Sequence, residues 1–375
     1  MSDLNKRRGF WGLLDMSSAF SSFAAIAVGL VVGFFVLLLS NPANAGIGFV
    51  TLLSSGFGDL KSAGQVLYFA TPIIMTGLSV AFSARTGLFN IGASGQFIIG
   101  AYCSILIGVK CSSLPGWLLC PLAVIAAGLA GALWGAVPGL LKAWRNVNEV
   151  IACIMMNYIG MYLVNYLIVK TVYDQRRNIT MAVASHANIP TFGLDKIFRL
   201  GNSPSSAGGG IFIALLAAVV IYLILEKTTL GYEIKACGFN KNAAEYAGIN
   251  SSRGIITAMA VSGALAGLGG ALLFLSGAGK GIDVVDTLAQ EGFNGIPVAL
   301  LALNNPIGVI FSGLFIAYLT VGGFNMQLYN YAPQAVDMIV AIIIYFSAAS
   351  LLIKGLFQKL GKRDDKILEK GGDEA

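Results

Sequence analysis

Gly92-Ala93-Ser94-Gly95 has the form of a short Gly-Ser motif that presents a serine nucleophile inside a membrane protease. A serine hydroxyl attacks only when a base takes its proton. The sole histidine, His186, lies in a long polar connection rather than in an apolar segment, so a membrane Ser–His dyad is excluded. Gly277-Ala278-Gly279-Lys280 resembles the end of a phosphate-binding loop, but Phe274 stands where the first glycine belongs and Gly281 where the serine or threonine belongs. The chain is therefore not expected to hydrolyse ATP. The five cysteines (Cys103, Cys111, Cys120, Cys153 and Cys237) show no CxxC spacing, and most sit in or beside apolar runs, where they act as small apolar residues. Cys111–Cys120 is the one pair worth testing for a disulfide. No catalytic residue, metal set or cofactor is expected, and no two carboxylates are spaced for acid–base work.

Polar side chains inside apolar segments are costly and mark pathways or interhelical bonds. Asn90 and Gln96 open one such segment, and Glu291 and Asn294 open another. Glu149, Asn157 and Asn165 share a third, where Asn157 and Asn165, eight residues apart, fall on one helical face beside Tyr158 and Tyr162. An amide donates and accepts at once, which suits a neutral polyhydroxy or base-bearing solute better than an ion. Asn90, Gln96, Asn157, Tyr158, Asn165, Glu291 and Asn294 are the expected pathway residues, with Asn90, Asn157, Asn165 and Asn294 converging on one cavity.

The elements that must position them are membrane spans. Of 375 residues only 11% are charged and 56% are hydrophobic, with mean hydropathy +0.77, whereas soluble domains carry roughly 25% charged residues. Runs of this length match a bilayer core of ~30 Å and must be helical there. Ten are read: Ala19–Leu39, Gln65–Ala84, Leu88–Val109, Trp117–Leu141, Glu149–Val169, Gly210–Leu225, Ile255–Ser276, Glu291–Leu303, Pro306–Gly322 and Gln334–Ile353. Glu291–Leu303 is short for a span. The first run is too long for a signal-peptide core and is expected to be retained. With the N-terminus inside, 16 of the 24 Lys and Arg fall on the cytoplasmic side, which favours both termini in the cytoplasm. The net charge of +6 thus reflects orientation, and no nucleic acid partner is expected. The organisation is a cytoplasmic segment 1–18, a membrane domain 19–353 with an external loop 170–209 and a cytoplasmic loop 227–253, and a cytoplasmic tail 354–375. The external loop exceeds the ~12–15 residues usual for unstructured connections and should carry structure. Gly29/Gly33, Gly131/Gly135/Gly139 and Gly263/Gly267 are spaced to let helix backbones approach within the subunit.

Within 227–253, Asn240 can cap a helix of about two turns that Gly248 stops. A helix so short is not stable alone. Projecting from a membrane domain, it fits either the groove of a partner protein or an amphipathic linker lying at the headgroups.

Three motifs in order then resemble one family: Gly87-Leu88-Phe89-Asn90-Ile91-Gly92-Ala93-Ser94-Gly95-Gln96-Phe97; Asn148-Glu149-Val150-Ile151 with Met156-Asn157-Tyr158; and Ala-Ala-Glu-Tyr-Ala-Gly-Ile ending at Ile249. Over roughly 67–352 the chain resembles permease subunits of bacterial ABC importers, in the branch shared by branched-chain amino acid and simple-sugar permeases. The second motif is most similar to the larger permease of nucleoside importers. The resemblance implies ten spans with an internal repeat in the cell membrane. It also implies a second, different permease, an ATPase with two fused nucleotide-binding halves, a lipid-anchored extracellular binding protein and a nucleoside-like solute. It casts Gly238, Asn240, Ala243, Ala244, Glu245, Tyr246 and Gly248 as the ATPase-coupling segment. Ser94 and Asn294 depart from the acidic residues expected at those places, and Pro297, Ala302 and Leu303 depart from Ala, Gly and a basic residue. A permease for ribose or another sugar and an ion-coupled carrier using Glu149, Glu291 or Asp337 are the alternatives.

Overall fold

Side-chain caps decide where the apolar runs become helices. The computed structural model describes residues 16–346 apart from 333, 336 and 344. It begins with α1 (Met16–Ser40), a 3₁₀ turn at Pro42–Asn44 and α2 (Ala45–Ser54). The Asp59 carboxylate accepts the Ser62 N–H at 2.6 Å and starts α3 (Leu60–Ala84). After α4 (Ala93–Lys110), α5 (Gly116–Arg145) ends on Asn146 in the left-handed conformation at φ 51°. Asn148 accepts the Val150 and Ile151 N–H groups to open α6 (Glu149–Thr171). Then come a hairpin β1 (Tyr173–Asp174) and β2 (Ile179–Thr180), the short α7 (Leu194–Ile197), and a second hairpin β3 (Arg199–Leu200) and β4 (Ser203–Pro204). The chain continues through α8 (Gly210–Lys227), α9 (Thr229–Phe239), α10 (Lys241–Tyr246), α11 (Ser251–Phe274), α12 (Gln290–Phe293), α13 (Gly295–Leu301) and α14 (Pro306–Met326), with helical residues again between 334 and 346.

Seven of these helices, α3, α4, α5, α6, α8, α11 and α14, are long and apolar enough to cross a membrane, among the described residues. The chain is an all-α polytopic membrane protein. Two expected segments are revised. Glu291–Leu303 is not one helix but α12 and α13, broken at Asn294: Pro297 has no N–H to give the Phe293 carbonyl, and Gly292 and Gly295 lie against the backbones of Ser94 and Gly77. Such a break is tolerated at membrane depth where protein, not lipid, surrounds it. The run expected from Leu88 becomes helical only at Ala93, because 85–92 forms a turn-rich loop. The last expected span is described only to 346, and the segments 1–15 and 354–375 lie outside the described residues.

Two compact units emerge. In the first (1–51 with 326–375), Gly33 faces Ile339 and the Tyr331 hydroxyl donates to Asn41 O at 2.9 Å. In the second (52–325), α5, α11 and α4 approach backbone to backbone. A Cβ on Gly131 would meet Gly263 O and lie 2.9 Å from Gly267 Cα, and a Cβ on Gly270 would lie 2.9 Å from Ala101 N. The connections of this unit segregate to two ends. At one end Lys61 Nζ donates to Ser203 Oγ (2.8 Å), His186 Nε2 lies 3.0 Å from Ser112 O, and Ile189 N donates to Leu275 O (2.8 Å). At the other, Arg85 Nε donates to Asn304 O (3.0 Å). The 170–209 connection carries the structure expected of it, and its β2 strand is sewn to the α11–α12 connection by Thr180 N to Ile282 O (3.1 Å) and Val284 N to Asn178 O (3.2 Å). All five cysteines are free.

The glycine seam makes a sharp expectation. A methyl group on Gly263 would press on the Gly131 carbonyl and lie 3.0 Å from Gly131 C and Gly135 Cα, backbone atoms that cannot rotate away, whereas one on Gly46 meets nothing within 4 Å. Gly263→Ala should therefore destabilise by about 1–3 kcal/mol, read as a lower melting temperature in detergent, while Gly46→Ala should not. Equal melting temperatures for both variants would contradict the seam.

Candidate functional site

A cavity of about 240 Å³ opens between α4, α6 and the 277–291 segment. Its floor is the start of α4, its wall is α6 with Phe97 and Phe274, and its roof is the connection from Lys280 to Glu291. The Phe97 and Phe274 rings sit 6.4 Å apart, tilted by 57°. The roof is pinned rather than loose. Ser94 Oγ donates to Ala289 O at 2.9 Å, Thr76 Oγ1 donates to Glu291 O at 3.2 Å, and Asn165 Nδ2 donates to Val285 O at 2.9 Å. Lys280 and Glu291 form an ion pair at 3.2 Å on the cavity's edge.

Three of the seven expected pathway residues, Asn157, Asn165 and Glu291, line this cavity, and the two asparagines share a face as their spacing requires. Asn90 and Gln96 do not line it. They are fully buried behind the floor, where Asn90 Nδ2 donates to Gln96 Oε1 (2.8 Å) and Ser262 Oγ (2.6 Å), and Asn90 Oδ1 accepts from Gly92 N (2.9 Å) and Gln96 Nε2 (3.2 Å). Tyr158 turns to a neighbouring, exposed face of α6 with Tyr162 and Tyr166. Asn294 sits at the α12–α13 break, also outside the lining. The four amides therefore do not converge: two face the cavity, one lies in a network beneath it and one sits at the α12–α13 break. Even the two that face it are engaged with backbone. Asn157 Oδ1 accepts the Gly95 N–H at 2.8 Å while its Nδ2 donates to Ile91 O at 3.0 Å.

Phe97, Phe274, Lys280 and Asp283 at the cavity were not singled out from sequence. The phenylalanines sit in apolar runs with no distinguishing spacing. Lys280 was visible only as part of an imperfect phosphate-loop pattern. Phe97 and Phe274 bring aromatic rings to the cavity, whereas Tyr158 does not line it. No group of three or more His, Cys, Asp or Glu able to hold a metal occurs among the described residues.

At the other end, α10 forms as its caps require. Asn240 Oδ1 accepts the Ala243 N–H at 3.1 Å, and Gly248 adopts φ +82°. Glu245 accepts from Ser251 Oγ, tying α10 to the start of α11. Of the expected coupling residues, Ala244 faces the chain's own interior, 4% exposed, because one side of so short a helix must pack on its neighbours. The outward face holds Ala243 and Tyr246, and Tyr246 and the adjacent Phe239 are 93% and 90% exposed. Burial pushes the Cys237 thiol of α9 above its ordinary range, with Glu233 and Glu245 adding to the effect, which keeps it protonated and unreactive.

Comparison with known proteins agrees with this architecture. Over 340 residues the chain is 39% identical to the guanosine ABC transporter permease protein NupP of Bacillus subtilis, covering 90% of this chain and 95% of that relative. It is 35% identical over 342 residues to the nucleoside ABC transporter permease protein NupB of Lactococcus lactis subsp. cremoris, covering 89% and 92%. It is 34% identical over 338 residues to the glucose ABC transporter permease protein TsgB13 of Haloferax volcanii, covering 88% and 86%. No solved structure matches the chain. Residues 62–348 match the pattern of the branched-chain amino acid transport system / permease component, and it is to this family of membrane permeases that the chain belongs.

Proposed function

We propose that this chain is the permease subunit of an ABC importer for nucleosides and forms half of the translocation pathway. The observation that carries the proposal is near full-length similarity, at 39% and 35% identity, to two permeases named for guanosine and nucleosides. ATP hydrolysis then lies in a separate ATPase with two nucleotide-binding halves, and a second, different permease completes the pathway. A lipid-anchored binding protein delivers solute to the outer face. Ten spans with an internal repeat and both termini in the cytoplasm fit this assembly, and the segregated connections of residues 52–325 support the alternation of sides. In that orientation the 170–209 connection is external, where its two hairpins offer a docking surface, and α10 is cytoplasmic.

The cavity chemistry suits the proposed solute. Two phenylalanine rings give an apolar surface for a base, and Ser94, Asn157 and Asn165 give neutral polar edges for hydroxyls. Simple sugars are the second candidate, favoured by the similarity to the glucose permease. An ion-coupled carrier would draw on a membrane carboxylate not committed to an ion pair. Glu149 instead pairs with Lys142 at 3.0 Å and Glu291 with Lys280 at 3.2 Å, while Asp337 is exposed.

In proteoliposomes holding both permeases, the ATPase and the binding protein, tritiated guanosine should accumulate only with ATP, and excess ribose should not compete. Uptake without the ATPase would point to an ion-coupled carrier, and full competition by ribose would move the substrate to sugars. The exposed face of α10 predicts a second outcome. Tyr246→Ala removes a ring that touches little in its own chain. It should weaken recovery of the ATPase with the permease by about tenfold or more, as loss of a buried aromatic anchor does, while leaving the melting temperature of the isolated subunit unchanged. Normal ATPase recovery would show that α10 is not the contact.

A further inference from the structure

The loop at 85–95 touches both ends of the proposed cycle. Its first residues meet α9 just ahead of α10. A Cβ on Gly238 would lie 2.5 Å from Arg85 O and 2.9 Å from Gly87 N, and Gly87 itself turns at φ +70° beneath Gly238 O. Only two glycines allow backbones to meet so closely, and this contact leaves no side chain to act as a cushion. Arg85 Nε also holds the α13–α14 turn through Asn304 O. In the middle, Asn90 anchors the loop to α11 through Ser262, whose hydroxyl in turn donates to Ser79 O at 2.7 Å in α3. At its far end Asn157 grips Ile91 O and Gly95 N, the backbone on which cavity-lining Ser94 sits. Eleven residues of non-helical and first-turn backbone therefore connect the end of α9, just ahead of α10, to the cavity floor, and the anchors are a backbone contact and hydrogen bonds that are buried or part-buried.

We propose that residues 85–95 are the transmission element of this subunit, with Gly238 and Ser262 as positioning residues that pass displacement of α10 to the cavity floor. The proposal rests on the permease reading above. A backbone–backbone contact and a satisfied buried network have few intermediate arrangements, so they transmit a displacement instead of absorbing it.

The test uses the complete reconstituted transporter with tritiated guanosine, measuring ATP hydrolysed per nucleoside taken up. Gly238→Ala forces the loop away from α9. Ser262→Ala removes one anchor of Asn90 while Gln96 and Ser79 still receive its N–H groups. Each variant should raise the ATP-to-nucleoside ratio by about tenfold. The double variant should be no worse than the more severe single one, because both break the same link. Unchanged ratios, multiplying effects in the double variant, or failure of both variants to assemble with the ATPase would overturn the proposal, the last by making the loop purely structural. A wild-type transporter that takes up no guanosine with ATP fails earlier, at the permease reading itself, and is distinguishable from normal wild-type uptake with normal variants.

Discussion

A primary amide buried away from water must find partners for two N–H groups and a carbonyl oxygen, or it costs the fold a kilocalorie or more for each unmet group. Asn90 has no exposed surface, and its bonds to Gln96, Ser262 and Gly92 satisfy both of its ends. Much of the larger unit is arranged so that these bonds can exist. Ser262 reaches Asn90 only because α11 runs close to α3, and α11 is held close to α5 by Gly131, Gly135, Gly263 and Gly267. Gly135 does a second service. A Cβ there would lie 3.1 Å from Gln96 Nε2, so its absence gives Gln96 room to turn toward Asn90. The bond from Gly92 N to Asn90 Oδ1 then fixes where α4 begins, five residues later than hydropathy alone would place it.

The cavity inherits its shape from the same constraint. With the start of α4 set, Ser94 meets the roof at Ala289 and Gly95 meets Asn157. Asn157 and Asn165 lie about 12 Å apart along α6 at the α-helical rise, one fastened to the floor and the other to the roof at Val285. α6 thus acts as a spacer between the two surfaces. Under the proposed function, a solute in this cavity would meet amides already bonded to backbone, so its recognition would require either sharing of their remaining lone pairs and N–H groups or an exchange of partners. The second route links solute binding to movement of floor or roof, which is what a transporter that alternates access needs.

Most of the long helices, the caps of α10 and the glycine seam were legible in the sequence because each depends on local chemistry: Asn240 caps, Gly248 stops, and small residues at i and i+4 let backbones meet. Asn157 and Asn165 were correctly placed on one face for the same reason. The break at Asn294 was signalled only by the shortness of the apolar run, and its cause, the missing N–H of Pro297, needed the actual backbone to be seen. Asn90 was expected at the cavity and is instead bonded beneath it, because a polar residue at membrane depth looks the same in sequence whether its partner is a solute or Ser262. Tyr158 was misplaced because an aromatic residue beside a lining position may turn either way. Phe97 and Phe274 carried no signal of facing a cavity, since an apolar residue facing a cavity and one facing a neighbouring helix are alike in one dimension.

The turn-rich loop at 85–92 and the first turn of α4 are held as firmly as the helices around them. Hydrogen exchange of the purified subunit in detergent tests this directly. Amides in peptides spanning 87–95 should exchange as slowly as those of α11, because Gly92 and Gly95 give their N–H groups to buried asparagine oxygens. Exchange as fast as that of the exposed β3–β4 hairpin would show that the buried network does not restrain the loop, and would contradict the account.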